Sequence, residues 1–443
     1  MKKVILSLAG ALAATAFAPE ASAIPAFARQ MGVACQACHF QHFPELNSFG
    51  RAFKNSGFTL IGAQPKIEGE HLSIPATLNM SILATAGYEN VSNSGTVATA
   101  LTPATTNGKF FVPNSGGELS LFVAGRISEN FGFLTELAGT IGTSPFKLPM
   151  LWEVGGGNTR VGLVAVGNNF PAYSFETLNT GAASTHRLMG NAGPASGTVL
   201  KTHIAVTGAA QYLGTSDMKG NGVSFVANGD MGFVNLGKYD LTAVFAPSNT
   251  NAMSTTYARG AYIFNAGGWD SAIGIQSFTG SAGAPLLATA AVDTKATIID
   301  GQMQGEAGGM PLGLYASYGR APASASGNAY NGGALNTTVL NRTASDRKSF
   351  NIAGELGVIP NKATLQLAYR SANDGSGSAN AALAAGGRGD RDNALMLGAT
   401  YELAQNVGLY LTYTTQSGSA WNTCTAVIGA CAAVGSAPIG KTV

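Results

Sequence analysis

Residues 363–370 read Ala363-Thr364-Leu365-Gln366-Leu367-Ala368-Tyr369-Arg370. In an extended chain successive side chains point to opposite sides, so Ala363, Leu365, Leu367 and Tyr369 share one face while Thr364, Gln366 and Arg370 share the other. The same split returns at 407–414, where Val407, Leu409, Leu411 and Tyr413 oppose Tyr410, Thr412 and Thr414. It returns again at 118–126, where Leu119, Leu121 and Val123 oppose Glu118, Ser120 and Arg126, and at 351–358, with Glu355 on the polar face. A half-buried sheet of a soluble sandwich alternates in the same way, so periodicity alone leaves two folds open.

Connection lengths separate them. Tight turns are expected at Glu129-Asn130-Phe131-Gly132, Ala266-Gly267-Gly268, Ile359-Pro360-Asn361-Lys362 and Ala404-Gln405-Asn406. Between them lie long Ser/Asn/Gly/Ala-rich stretches at roughly 89–116, 170–199, 279–290, 321–346 and 372–390. Short turns at one end and long loops at the other are the pattern of an outer-membrane barrel, with the short turns periplasmic. The reading is therefore all-β: a transmembrane antiparallel β-barrel of about sixteen strands, wide enough to enclose a lumen. Parity then requires an inward strand after residue 417, and only Ile439–Val443 remains for it. Either the last strand is abnormally short or the chain is a fragment lacking several C-terminal residues.

Composition agrees. Of 443 residues, 11% are charged and 59 are glycine, with a formal net charge of +2. No stretch after the N-terminus is long and apolar enough for a membrane helix, which takes about 20 residues, so a helical membrane protein is excluded. The near-zero net charge gives no reason to expect a nucleic-acid partner. At the N-terminus, basic Met1-Lys2-Lys3, the apolar run Val4–Phe17 and small Ala21-Ser22-Ala23 form a signal peptide over 1–23.

Just behind that signal stands Cys35-Gln36-Ala37-Cys38-His39. Two thiols at this spacing can each add to one porphyrin vinyl group, and the following histidine then lies under the iron as proximal ligand, which is how haem c is attached. A zinc half-site would need more thiols or imidazoles nearby, and a CxxC redox pair normally sits in a βαβ setting. The segment 24–72 is too small and too poor in apolar residues for a core of its own, so the haem and the barrel lumen are expected to support it as a plug. Such a plug would bring the iron near the membrane midplane or the outer mouth.

Together with Cys35–His39, the stretches Ile24–Gly32, Phe43-Pro44-Glu45-Leu46 and Phe49-Gly50-Arg51-Ala52-Phe53-Lys54 resemble the N-terminal cytochrome of the fused outer-membrane monohaem cytochrome-porins of iron-oxidising bacteria. The resemblance is specific over about 24–62 and architectural beyond. It implies a monohaem cytochrome c domain over 24–72 and an outer-membrane barrel over 73–443 in a Gram-negative envelope. It also implies an activity resembling an iron:cytochrome c oxidoreductase, in which electrons pass from extracellular Fe(II) to a periplasmic carrier such as a soluble cytochrome c.

The distal ligand has two candidates, His71 and Met80. Methionine would raise the reduction potential, but Met80 shares a strand face with Leu78 and Ile82, whereas His71 precedes that strand and is the better placed. His42 lies too close to His39 to reach the opposite face and reads as a polar group at the haem edge. Phe27, Phe49 and Phe53 either cover the porphyrin or form core. Arg29, Arg51 and Lys54 either meet the propionates or are solvated or paired with lumen carboxylates such as Glu355. Cys424 and Cys431 are expected to form a loop disulfide. Asp346, Asp374, Asp390 and Asp392 read as solvated loop charge, and His186 and His203 as incidental. Two other functions stay open: a haem-plugged diffusion porin, and a cytochrome exchanging electrons with a donor or acceptor other than iron.

Overall fold

The computed structural model describes residues 26–70, 72–93, 106–117, 119–137, 145–167, 175, 177–181, 206, 208–213, 221–240, 253–282, 292–323, 345–375, 390–404, 406–419 and 440–442. The signal peptide, His71, His186, His203, Cys424 and Cys431 lie outside these residues.

A closed barrel dominates. Its first strand is interrupted, with Met80–Ala84 pairing antiparallel to Leu119–Arg126 and Gly87–Asn93 pairing antiparallel to Thr106–Pro113. The ring continues through Gly132–Leu137, Phe146–Glu153, Arg160–Gly167, Asn221–Gly229, Gly232–Asp240, Thr255–Ala266 and Trp269–Ala282. It goes on through Ala296–Ala307, Met310–Ala321, Arg347–Ile359, Ala363–Asn373, Arg391–Ala404 and Val407–Ser417. Gly440–Thr442 then closes it, pairing with Val407–Ser417 on one side and Gly87–Asn93 on the other. With each interrupted strand counted once, the described residues form fifteen strands of six residues or more and this sixteenth. The expected number is found. The loop expected across 89–116 is shorter than its polar composition suggested, because Gly87–Asn93 and Thr106–Pro113 pair within it.

Alternation becomes sidedness. Leu365 and Leu367 are each 53% exposed, while their neighbours Thr364, Gln366 and Arg370 are buried in the lumen wall. Val407, Leu409 and Leu411 stand outward in the same way, and Tyr262, Tyr318, Phe350 and Tyr369 add outward aromatic rings. In lipid such a band is solvated, and closure leaves no strand edge with unpaired backbone groups. The short turns at 127–131, 230–231, 267–268, 308–309 and 360–362, with Asn406, gather at one end. Gly267 and Gly268 reverse the chain there with positive φ of 61° and 91°. This is an outer-membrane barrel with its tight-turn end in the periplasm.

A barrel of this girth is too wide for its own side chains to fill. Two pieces of chain fill it. The N-terminal plug, with helices Ala26–Met31 and Ser48–Asn55, occupies the periplasmic half. Cys35 Sγ donates to Asn406 Oδ1 (3.2 Å), Gln41 Nε2 to the Pro311 carbonyl (3.3 Å), and Asn228 Nδ2 to the Asn55 carbonyl (3.1 Å). A hairpin, Lys66–Gly69 with Leu72–Pro75, ends the plug and straddles the boundary expected at 72. The other filler comes from the long connection after Arg160–Gly167. Phe175, Leu178, Val206, Tyr212 and Leu213 are fully buried, and Ala209–Tyr212 is a short helix inside the lumen. The stretch Ala209-Ala210-Gln211-Tyr212-Leu213 lacks the alternation of a wall strand and packs on the inside.

Leu367→Arg, an outward position near the middle of its strand, should destabilise the barrel by about 2–4 kcal/mol. Urea unfolding from lipid vesicles measures it, and a change within about 0.5 kcal/mol would mean that Leu367 does not face lipid.

Candidate functional site

The Cys35–Ala37 segment is a 3-10 turn, in which the amides of Cys38 and His39 both donate to the Cys35 carbonyl at 3.1 and 3.0 Å. The turn brings Cys35, Cys38 and His39 together. Asn47 organises it from the other side. Its Oδ1 caps helix Ser48–Asn55 by accepting from the Gly50 amide (2.9 Å), while its Nδ2 donates to the Ala37 carbonyl (3.0 Å). The helix then lies so close that a Cβ on Gly50 would sit 2.0 Å from the Cys38 carbonyl oxygen, and this contact requires glycine.

His39 Nδ1 lies 3.1 Å from the Glu45 carbonyl, which as acceptor fixes the proton on Nδ1 and leaves Nε2 as the nitrogen with a lone pair. Burial pushes the His39 imidazole below the ordinary histidine range and so favours the neutral, ligating form. Burial also raises the thiols of Cys35 and Cys38, which are not joined to each other. Beside them opens a cavity of about 600 Å³ lined by Gln36, His39, Asn47, Trp269, Asp270 and Gln304. Gly267, Gly268 and Asn361 of the tight turns also line it, so the site faces the periplasmic mouth. This corrects the midplane or outer-mouth position expected from the plug argument, because the plug seats against the turn ends of the strands. Two thiols, a neutral imidazole and an adjoining cavity are the donor set that a covalent c-type haem uses. They suit zinc poorly, since the next histidine along, His42, is engaged by two carboxylates.

The other expected contacts scatter. Arg51 is closest to the cavity, but its guanidinium already pairs with Asp270, a cavity-lining residue, at 2.5 Å. Arg29 Nη1 donates to the Met80 carbonyl (3.3 Å), and the Lys54 ammonium sits 6.0 Å over the Phe175 ring. Phe27 and Phe53 form core with Phe58 and Phe175, at ring separations of 4.9–5.8 Å along the chain of contacts, and Phe49 is largely exposed. Met80 stands in the outward row with Leu78 and Ile82 and does not line the cavity.

The cation on Glu355 is His42. His42 Nδ1 is 3.0 Å from Glu45 Oε2, and Nε2 is 3.1 Å from Glu355 Oε2, with all three side chains buried. Burial alone would lower the His42 pKa, but the charges and hydrogen bonds of Glu45 and Glu355 override it and hold the ring pushed up to about 12. His42 thus ties plug to wall instead of standing at a haem edge. Nor is Asp392 solvated: Arg370 and Tyr212 bind it in the filled outer half, at 2.6 and 2.9 Å.

Asn47, Glu45 and Asn179 were not singled out from the sequence. Asn47 had a signal, an N-cap residue one position before an apolar helix start. Asn179 had none. Its side chain accepts from the Leu46 amide (2.9 Å) and donates to the Leu46 carbonyl (3.1 Å), joining the lumen segment to the plug from a distance no local pattern encodes.

No protein-family profile and no curated protein matches this chain. Among solved structures it is similar to OmpT of Vibrio cholerae, at 11% identity over 85% of this chain and 97% of that one, with a TM-score of 0.38. It is also similar to the outer membrane channel DcaP of Acinetobacter baumannii, at 10% identity over 79% and 93% with a TM-score of 0.41. An anion-selective porin from Comamonas acidovorans shares 13% identity over 77% and 90% with a TM-score of 0.39. These are all outer-membrane proteins.

Because the folded pKa of His42 is raised above its ordinary 6.5, its contribution to plug seating is complete below that pH and is lost as pH climbs toward about 12. Limited proteolysis of the plug should therefore accelerate across that interval in the native chain, and a His42→Gln variant should lack this pH dependence. Equal protection of the native plug at both ends would contradict the clamp.

Proposed function

We propose that this porin-like outer-membrane barrel is an electron conduit, in which haem c bound by Cys35, Cys38 and His39 accepts electrons from extracellular Fe(II) and yields them to a periplasmic carrier such as a soluble cytochrome c. One observation carries the reading: the neutral His39, held on the same turn as the paired thiols, lines a cavity at the periplasmic mouth of a lipid-spanning barrel. The haem would supply one-electron exchange. The chain supplies the rest. Cys35 and Cys38 provide the thioether bonds, His39 Nε2 the proximal bond, and the Glu45 carbonyl the orientation of that imidazole. Arg51, with its partner Asp270, is the candidate for a propionate contact. Of the two further candidates, His71 would be the one to hold the iron, since the Met80 side chain belongs to the outer wall.

The filled lumen supports a conduit over a diffusion porin. An apolar cluster running from Phe53 and Phe58 through Phe175 to Tyr212, Tyr257 and Phe278 is buried inside the barrel. The site's position supports release to the periplasm, since the cavity opens among the tight turns.

Anaerobic stopped-flow absorption of the oxidised, vesicle-embedded protein mixed with Fe(II) tests the proposal. Rapid reduction of covalently bound haem that disappears in His39→Ala, with little solute flux through the barrel, is expected. Reduction by other donors but not by Fe(II) would remove iron as the substrate, and rapid solute flux would favour the plugged porin.

A further inference from the structure

Among the described residues one group of His, Cys, Asp and Glu side chains converges closely, and it is buried: His42 and Glu45 of the plug with Glu355 of the barrel strand Arg347–Ile359. Its geometry speaks for an ion cluster rather than a metal site. Each nitrogen of the His42 ring faces a different carboxylate, at 3.0 and 3.1 Å, which is how an imidazolium uses two N–H donors. A metal would take one nitrogen lone pair and draw both carboxylates to the same side of the ring.

The cluster also reaches the proposed haem site. Glu45 holds His42 with its side chain and accepts from His39 Nδ1 with its carbonyl. Its carbonyl accepts from the Phe40 amide as well (2.8 Å), so the loop that joins His39 to Glu45 is closed on itself. On the wall side Gln366 Nε2 donates to Glu355 Oε2 (3.1 Å), and Tyr410 packs edge-on to the His42 ring at 6.3 Å. Outer hydrogen-bond partners of a ligating histidine set its orientation and basicity, and charge beside a buried redox centre sets its potential.

We infer that Glu355, a residue of the barrel wall, is a positioning residue for the haem: through His42 and Glu45 it fixes the proximal imidazole and places a net negative charge beside it, so that seating in the barrel sets the reduction potential. The inference rests on the haem reading of Cys35–His39. Two carboxylates and one imidazolium leave one negative charge, which favours the ferric form. Glu355→Gln keeps the shape and removes that charge. Pairing it with His42→Gln leaves Glu45 alone and restores the charge, without leaving an imidazolium short of a partner.

The experiment is spectroelectrochemical titration of the full chain in lipid vesicles, with covalent haem measured in the same samples by haem staining after denaturing electrophoresis. Glu355→Gln should shift the equilibrium toward ferrous haem at least about tenfold, some 59 mV for one electron. The double variant should return most of that shift, and Asn228→Ala, which removes the Asn55 contact but leaves the seating of His42 against Glu355 intact, should leave the potential in place. A folded, haem-bearing Glu355→Gln protein with the native potential would overturn the inference. So would a double variant shifted further than the single one, which is the mark of a merely structural role. Where Glu355→Gln does not insert, the double variant decides against Glu355→Asp, since both keep the net charge and both should stay near the native potential. Absence of covalent haem from the native chain would overturn the haem reading itself, and is distinguishable because staining reads it independently of the potential.

Discussion

Every backbone polar group in a bilayer needs a partner inside the protein, and from that constraint the rest of this structure follows. Strands satisfy it only by closing on themselves, and here closure depends on the three residues Gly440–Thr442 bridging Val407–Ser417 to Gly87–Asn93. A ring of this size creates a second requirement. Its interior is wider than the wall's side chains can span, so inward-facing Arg259, Arg347 and Arg370 would stand in an open lumen unless something met them. Instead Arg259 pairs with Asp300, Arg370 with Asp392, and Arg347 donates to the carbonyls of Tyr212 and Leu213, both at 2.7 Å. The lumen segment is thus held by charges the barrel could not otherwise bury.

The plug solves the reverse problem. Its residues are too few to bury a core, so Phe53 and Phe58 complete theirs with Leu151 and Val164 of the wall and with Phe175 of the lumen segment. Polar contacts then fix its orientation. Arg51 with Asp270, Asn55 with Asn228 and His42 with Glu355 reach three different parts of the wall. Removing any one leaves a buried polar group short of a partner, a cost of about 1–3 kcal/mol and more for a charge. Specific seating is therefore built from groups whose burial would be unfavourable alone.

How much of this was legible in the sequence depends on the range of each signal. The barrel was readable because lipid on one side and lumen on the other write a period of two into every strand, as at Leu365, Leu367 and Tyr369. The Cys35–His39 turn was readable because its five residues are contiguous. The lumen segment was not, since Tyr212 and Phe175 sit in stretches with no periodicity and take their place from partners far along the chain. His42 was misread for the same reason: Glu45 is local, but Glu355 lies more than three hundred residues away and arrives through the fold. Asp392 looked like loop charge because it lies beside the long polar stretch at 372–390, and its burial comes from Arg370 of the wall and Tyr212 of the lumen segment.

The position of the site has a consequence for the proposed electron path. With His39 near the tight-turn end, the proposed exchange with a periplasmic carrier would be short, while the outer half of the barrel separates the site from the cell surface. Among the described residues that half holds buried apolar and aromatic side chains, including Tyr212, Tyr239, Tyr257 and Phe278. A dry, close-packed interior keeps solvent from the cluster beside His39, where its charge counts for more than it would in water. The same packing ties the barrel's strength to the proposed haem site, since whatever loosens the lumen segment also loosens Leu46 through Asn179, next to the Glu45 carbonyl that orients His39.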